Sequence, residues 1–397
     1  MSSRTKKLRT LVATYWQPTV FYGMLIVFFG LLLWFRLGSL TGGYSASEWA
    51  TQQAGQGLRH IFEHPLNAPF TMVAYLFGLI FGHDNLIAFR AAATAYGLLT
   101  LTTFYWLVRH WHGERSAILG TVVFGCSAWF LHVARLGTPE ALLYIPLVLT
   151  AGGVWLKHTD NRAVLIGGFA LAAALLYMPG MIWFVIVVAL WQARNIGRLF
   201  KKHLALMLGG AALMLALLAP LGLAIYRSPE LAKVIAGLPA KGWPDPIDSL
   251  TRLAHIPYNL VLRGPLMPEH WLGRLAILDA FGIAMLTLGV YLYTRHPKLL
   301  RSRMIAVALI VGTVLASLGG GVSISVLMPF VYVLVAAGIG FMLDRWQQVF
   351  PRNVIAQTVS AAFMSLAVIA SAWYGFRHYF VAWPEAPTTK QVFVIKE

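Results

Sequence analysis

Apolar runs long enough to cross a bilayer recur from residue 18 to residue 376, separated by short polar breaks. A spanning helix needs about 20 mostly apolar residues. The pattern predicts an all-α, polytopic transmembrane helical bundle of about eleven spans, near 18–36, 85–108, 116–133, 140–156, 163–177, 180–192, 204–226, 274–294, 304–319, 322–342 and 354–376. Phe70–Phe81 is apolar but only about a dozen residues long, too short to span unaided. It is expected to be re-entrant or to lie along the interface within the first external loop.

Composition agrees with that pattern. The 397 residues are 58% hydrophobic and only 11% charged, against about 25% charged in a soluble domain. A formal charge of +17 could suggest nucleic acid. Lys and Arg instead sit at helix ends, with no basic recognition helix, so topology and lipid headgroups account for them. Fourteen Trp and 15 Tyr suit interfacial aromatic belts. The single cysteine, Cys126, lies in an apolar run, reads as a buried inert thiol, and leaves no disulfide within the chain.

The basic residues orient the bundle. Arg4, Lys6, Lys7 and Arg9 precede the apolar run Val20–Phe35, which reads as an uncleaved signal anchor. With that end in the cytoplasm, the same side receives the short basic loops at Arg109–Arg115, Lys157–Arg162, Arg194–Lys202, Arg295–Arg303 and Arg345–Arg352, which together with the four N-terminal residues hold 18 of the 31 Lys and Arg. The remainder spread over much longer external segments, as the positive-inside rule predicts. Counting Phe70–Phe81 as a crossing would invert every later loop. The chain is thus expected to be one integral-membrane domain, 1–397, of the inner or plasma membrane. Its external pieces are a first loop over 37–84, a second long loop over 227–273 and a tail over 377–397. Ile247–Leu262 mixes apolar and charged residues and suits an amphipathic interfacial helix.

Two carboxylates fall on the external side, each beside a membrane helix. Glu48 follows the first span, and Glu140 opens the fourth behind Thr138 and Pro139. A carboxylate at a helix N-terminus is favoured by the dipole, so Glu140 reads either as a capping acid or as a functional one. Glu48 reads either as an exposed loop acid or as its partner in catalysis. Arg135, Arg59 and Arg90 lie on the same rim and suit bidentate phosphate binding, headgroup anchoring or pairing with the acids. Tyr177, in the Tyr177–Gly180 turn, lines a cavity or belongs to the aromatic belt. His60, Glu63 and His64 match an H-x-x-E-H zinc pattern, but Pro65 ends the helix and no third ligand is evident, so no metal site is assigned. Gly319–Gly321 lacks the Lys-Ser/Thr of a phosphate loop.

At these residues the chain resembles the GT-C superfamily of membrane glycosyltransferases, in particular the bacterial branch related to protein O-mannosyltransferases and lipid A aminoarabinose transferases. The resemblance runs through the anchor helix, Ser47-Glu48, His64-Pro65 leading to Phe81-Gly82, Arg90 at a helix start, the Arg109–Arg115 turn, and Arg135 with Glu140. It continues more loosely at Ile277–Asp279 and Ser325–Pro329. The chain departs from the family at Ser47, where the first-loop Asp, the family's presumed base, would align. Either Glu48 takes over that role or the member is impaired.

The resemblance implies a polyprenyl-phosphate sugar donor, an acceptor hydroxyl on a glycan, lipid or protein, and inverting transfer on the non-cytoplasmic face. It makes Glu48 and Glu140 the catalytic residues, and Arg135, Arg59, Arg90, Tyr177, Arg252 and Arg263 the substrate-binding ones. No cofactor is required, a divalent metal is not indicated, and the expected partners are the donor, membrane lipids and the acceptor, not nucleic acid. The rival readings are a non-catalytic partner subunit, suggested by Ser47, and a transporter, which would place ionisable residues deeper within the spans.

Overall fold

The computed structural model describes residues 20, 22–55, 57–156 and 162–395. The N-terminal Arg4, Lys6, Lys7 and Arg9, and Lys157, lie outside the described residues. Helices dominate. Among the described residues the only sheet is a pair of two-residue strands, Leu266–Met267 and Trp271–Leu272, antiparallel with Met267 opposite Trp271.

Among the described residues five helices are long and apolar enough to cross a membrane: Leu86–His112, Leu204–Arg227, Leu300–Ser317, Ile324–Val349 and Val354–Glu385. Two bent pairs raise the number to seven if each is one span: Glu114–Cys126 with Ala128–Arg135, bent 66°, and Met181–Trp191 with Ala193–Lys202, bent 68°. Hydropathy predicts about eleven spans, and the described residues do not reach that number. Tyr22–Trp34, Ala68–Phe81, Pro139–Trp155 and Val164–Leu175 are apolar but shorter than 18 residues. The 14 residues of Ala68–Phe81 make a helix about 21 Å long, against a hydrocarbon core of about 30 Å. That helix turns back at Gly82 and packs on Leu86–His112.

Local sequence fixes the breaks. The Asn85 side chain accepts from the Ile87 amide at 2.9 Å and starts the Leu86–His112 helix, which Gly113 ends with φ +84°. Ser127 accepts from the Phe130 amide and begins a new helix in mid-span, which produces the first bend. Asp245 and Asp279 cap Pro246–Val261 and Ala280–Arg295 in the same way. Pro246–Val261 is the amphipathic helix expected in the second loop. It rests on Leu300–Ser317 and leaves Ile247, Leu250, Leu253 and Tyr258 exposed.

Burial sorts the bundle. Ile324–Val349 is buried over most of its length and forms its centre, whereas Leu204–Arg227 is mostly unburied and stands at the edge, with most of its leucines outward. The centre is tight because two glycines let backbones touch. A Cβ at Gly338 would lie 2.0 Å from the Met285 carbonyl oxygen, and one at Gly289 would lie 1.9 Å from that of Leu334. Within lipid, where apolar burial does not drive helices together, such small-residue contacts carry packing.

Gly338→Ala is expected to force the Ala280–Arg295 helix away from the central one, at a cost of about 1–3 kcal/mol. A lower melting temperature in detergent checks this. Gly209→Ala, whose Cβ meets nothing within 4 Å, serves as the neutral control.

Candidate active site

The loop-bearing end of the bundle is organised by the first turn of the Ala46–Gly55 helix. Ser45 and Glu48 form a reciprocal cap: the Glu48 amide donates to Ser45 Oγ at 3.2 Å, and the Ser45 amide donates to Glu48 Oε2 at 3.3 Å. The carboxylate continues inward. Arg90 Nε donates to Oε1 at 2.8 Å and Arg90 Nη2 to Oε2 at 2.9 Å, while the Gly137 amide donates to Oε1 at 2.8 Å. The same guanidinium reaches the carbonyls of Leu37 and Gly43 and the Thr41 hydroxyl, at 3.0–3.1 Å. Glu48 is 0% and Arg90 3% exposed. All three nitrogens of this fork and both acceptor oxygens have partners, which helps a buried ion pair to be tolerated.

Three residues beyond Gly137 the chain reaches Glu140, in the first turn of a 3-10 helix over Pro139–Tyr144. Glu140 Oε1 accepts from the hydroxyls of Ser323 and Ser325, the latter at 2.6 Å, and Oε2 lies against His270 Nε2 in an ion pair. Ser325 also accepts from Trp129 Nε1 at 3.0 Å, which locks its position.

Glu140 and His270 face a cavity of about 250 Å³, just below the roughly 300–1,000 Å³ usual for small-molecule sites. Ser47, Asn67, Thr138, Glu269 and Ser323 give its other polar groups, and Leu143, Met178, Pro179 and Met267 its apolar wall. Six separate segments meet here.

Burial alone would push the His270 imidazole down. The Glu140 carboxylate overrides it, with a further pull from Glu269, and the imidazole stays protonated above its ordinary range.

No protein-family model matches the chain, and no curated protein matches it in sequence. Solved structures do match. ArnT from Cupriavidus metallidurans in the apo state superposes with a TM-score of 0.58 over 94% of this chain and 78% of that one, at 16% identity. The structure of that protein bound to undecaprenyl phosphate gives 0.54 over 94% and 76%, again at 16% identity. The chain has the GT-C fold. At this identity the likeness is one of fold; the chain's own long apolar helices are those of a multi-pass membrane protein.

Within the GT-C fold, the residues singled out from sequence separate. Glu140 lines the cavity. Glu48 does not: it lies behind the wall, held by Arg90. Glu48, expected from the sequence to be the first catalytic acid, has both oxygens engaged and no exposure in this structure. Arg90 is likewise spent on Glu48 and the loop carbonyls rather than on a substrate phosphate.

The other predicted binding residues also lie off the cavity wall. Arg135 is 2% exposed, donates to the Phe35 carbonyl at 2.5 Å, and stands over the rings of Tyr379 and Phe380. Tyr177 donates to the Leu217 carbonyl and packs with Leu221 and Ile235, while its neighbours Met178 and Pro179 reach the cavity. Arg59 is exposed and pairs with Glu63 at 3.0 Å along one helix face. His60 and His64 lie beside it with ring centroids 4.7 Å apart and planes tilted by 52°. Arg252 and Arg263 are exposed, and the Arg252 guanidinium occupies the space a side chain at Gly319 would need, two residues from the cavity-lining Gly321.

Sequence reasoning missed Glu269, His270 and the two serines that hold Glu140. The Ser45-x-x-Glu48 capping spacing was readable in advance as a structural role for Glu48. Nothing in the sequence near Glu269 and His270 offers such a signal.

Two outcomes follow. Glu48→Gln removes one partner of a buried pair and is expected to cost about 3–5 kcal/mol, read as a large drop in melting temperature rather than a selective loss of ligand binding. The His270–Glu140 contribution to stability is complete below the ordinary histidine pKa of about 6.5 and is lost as pH rises through the elevated folded value. Wild-type melting temperature should therefore fall across that alkaline step, and His270→Asn should lack the step; identical profiles would rule it out.

Proposed function

We propose that this protein is a glycosyltransferase that moves a sugar from a polyprenyl-phosphate donor to an acceptor hydroxyl on the non-cytoplasmic membrane face. The observation that carries the reading is the acid-lined cavity at the loop-bearing end of a GT-C bundle. It is sized for a sugar headgroup and not for a polyprenyl chain, which would stay in lipid. The structure of ArnT with undecaprenyl phosphate supports the donor class. The exposed apolar residues of Pro246–Val261 offer a greasy rim, and the exposed Arg252, set against Gly319 two residues from the cavity-lining Gly321, offers a cation for the phosphate.

The chemistry follows from the groups available. The acceptor hydroxyl gives its proton to a cavity carboxylate, and its oxygen bonds to the anomeric carbon from the face opposite the donor phosphate. The carbon–oxygen bond to the phosphate breaks, and the electron pair leaves on the phosphate. Attack from the opposite face inverts the anomeric centre. General-base assistance of this kind is worth about 10²–10⁴-fold. The His270 imidazolium, kept charged by Glu140, faces the negative charge that grows on the leaving group. Glu140 so acts through His270, and Glu48 with Arg90 positions the strand of chain that carries Glu140.

Ser47, where the family carries an acid, is the one observation that favours a non-catalytic partner subunit instead. Reconstitution decides between them. Wild-type protein in lipid nanodiscs is expected to bind undecaprenyl phosphate and to discharge labelled sugar from a panel of undecaprenyl-phosphate-linked hexoses and aminopentoses. Glu140→Gln is expected to lower turnover at least tenfold. Binding without any discharge favours the partner subunit, and absence of binding ends both readings.

A further inference from the structure

We propose that Glu269 is the catalytic base of the transfer, standing in from the second long loop for the carboxylate that Ser47 lacks. The inference rests on the transferase reading above and names the residue that reading leaves open. Glu269 Oε1 accepts from the Ser47 hydroxyl and, at 2.5 Å, from the Ser45 hydroxyl. A carboxylate 222 residues away in sequence thus sits on the side chain at which the first loop's own acid is missing.

Elimination points the same way. Three carboxylates stand in or beside the cavity. Glu48 is fully enclosed and bound by Arg90 and two amides. Glu140 has one oxygen under two serine hydroxyls and the other against His270. Glu269 is half-buried and lines the cavity, and both serines bind the same oxygen. Among the described residues no donor engages Oε2, so it remains open to an incoming hydroxyl. The serines fix the aim of the carboxylate, while the second oxygen does the proton transfer.

The base also needs a rigid mount. Glu269 sits in the turn between Leu266–Met267 and Trp271–Leu272, and the turn is pinned on both sides. The Pro268 carbonyl accepts from Trp383 Nε1 at 3.0 Å, and Trp271, 1% exposed, donates to the Leu275 carbonyl at 2.9 Å and packs edge-on against His378. The next residue, His270, is the cation facing the leaving group. One tight turn therefore presents a proton acceptor and a positive charge side by side. In the transfer step the acceptor O–H bond breaks toward Glu269 Oε2, the new C–O bond forms, and polyprenyl phosphate departs with the electron pair.

The test uses full-length protein in nanodiscs, with undecaprenyl phosphate as the binding probe and the donor panel above for turnover. Glu269→Gln is expected to lose more than tenfold in turnover while binding undecaprenyl phosphate as wild type does. Ser47→Asp combined with Glu269→Gln, which returns an acid to the first loop, is expected to recover at least tenfold over Glu269→Gln alone. Turnover of Glu269→Gln within tenfold of wild type overturns the proposal. So does loss of turnover together with binding that the double variant fails to restore, which marks a structural residue. Wild-type protein that neither binds undecaprenyl phosphate nor discharges any donor removes the transferase reading itself, before any variant is compared.

Discussion

A carboxylate and a guanidinium taken out of water hold the loop-bearing end of this protein together. Two isolated ions would be expensive to bury, and Glu48 and Arg90 are tolerated because every charged nitrogen and oxygen of the pair finds a partner. Those partners are scattered: the carbonyls of Leu37 and Gly43, the Thr41 hydroxyl, the Ser45 cap and the Gly137 amide. The ion pair therefore ties the exit of the first helix and the start of the Ala46–Gly55 helix to the segment that leads into Glu140. With so many fixed directions at one point, the chain on either side has little freedom, and the cavity wall inherits that rigidity.

The cavity itself is made by loops, while the bundle beneath supplies only position. Backbone contact at Gly338 and Gly289 brings the central helices close, and Ile324–Val349, at the centre, delivers Ser323 and Ser325 to Glu140 at its N-terminal end. The second long loop closes the site from above. Its hairpin is anchored by Trp271 and by the Trp383 bond to Pro268, so a segment that is mostly exposed still ends in a fixed Glu269-His270 pair. Charges are divided by surroundings: Glu48 is neutralised inside the wall, Glu140 is committed to a histidine it keeps protonated, and Glu269 retains an open oxygen.

Much of the frame was legible from hydropathy and charge. Apolar runs separated by basic breaks point to a polytopic bundle, and the helices Leu86–His112, Leu204–Arg227 and Val354–Glu385 begin within a few residues of their expected places. Pro246–Val261 is amphipathic as its composition implies, and Ala68–Phe81 is as short as the sequence suggests. The number of spans was less legible. Hydropathy registers any apolar helix, and several here are too short to reach across the hydrocarbon on their own. Of the two acids chosen from position alone, Glu140 faces the cavity and Glu48 is sealed behind it, because proximity to a helix end says nothing about which way a side chain turns.

The sequence by itself determined that this is a helical membrane bundle and where several of its helices begin, since each depends on neighbours within a few residues or on the solvent that a residue prefers. Only tertiary structure decided which acid meets the cavity. The Ser47–Glu269 and Glu140–His270 contacts join residues more than a hundred positions apart. Their geometry is set by how hairpin, cap and central helix pack on one another, and no local pattern of residues encodes that.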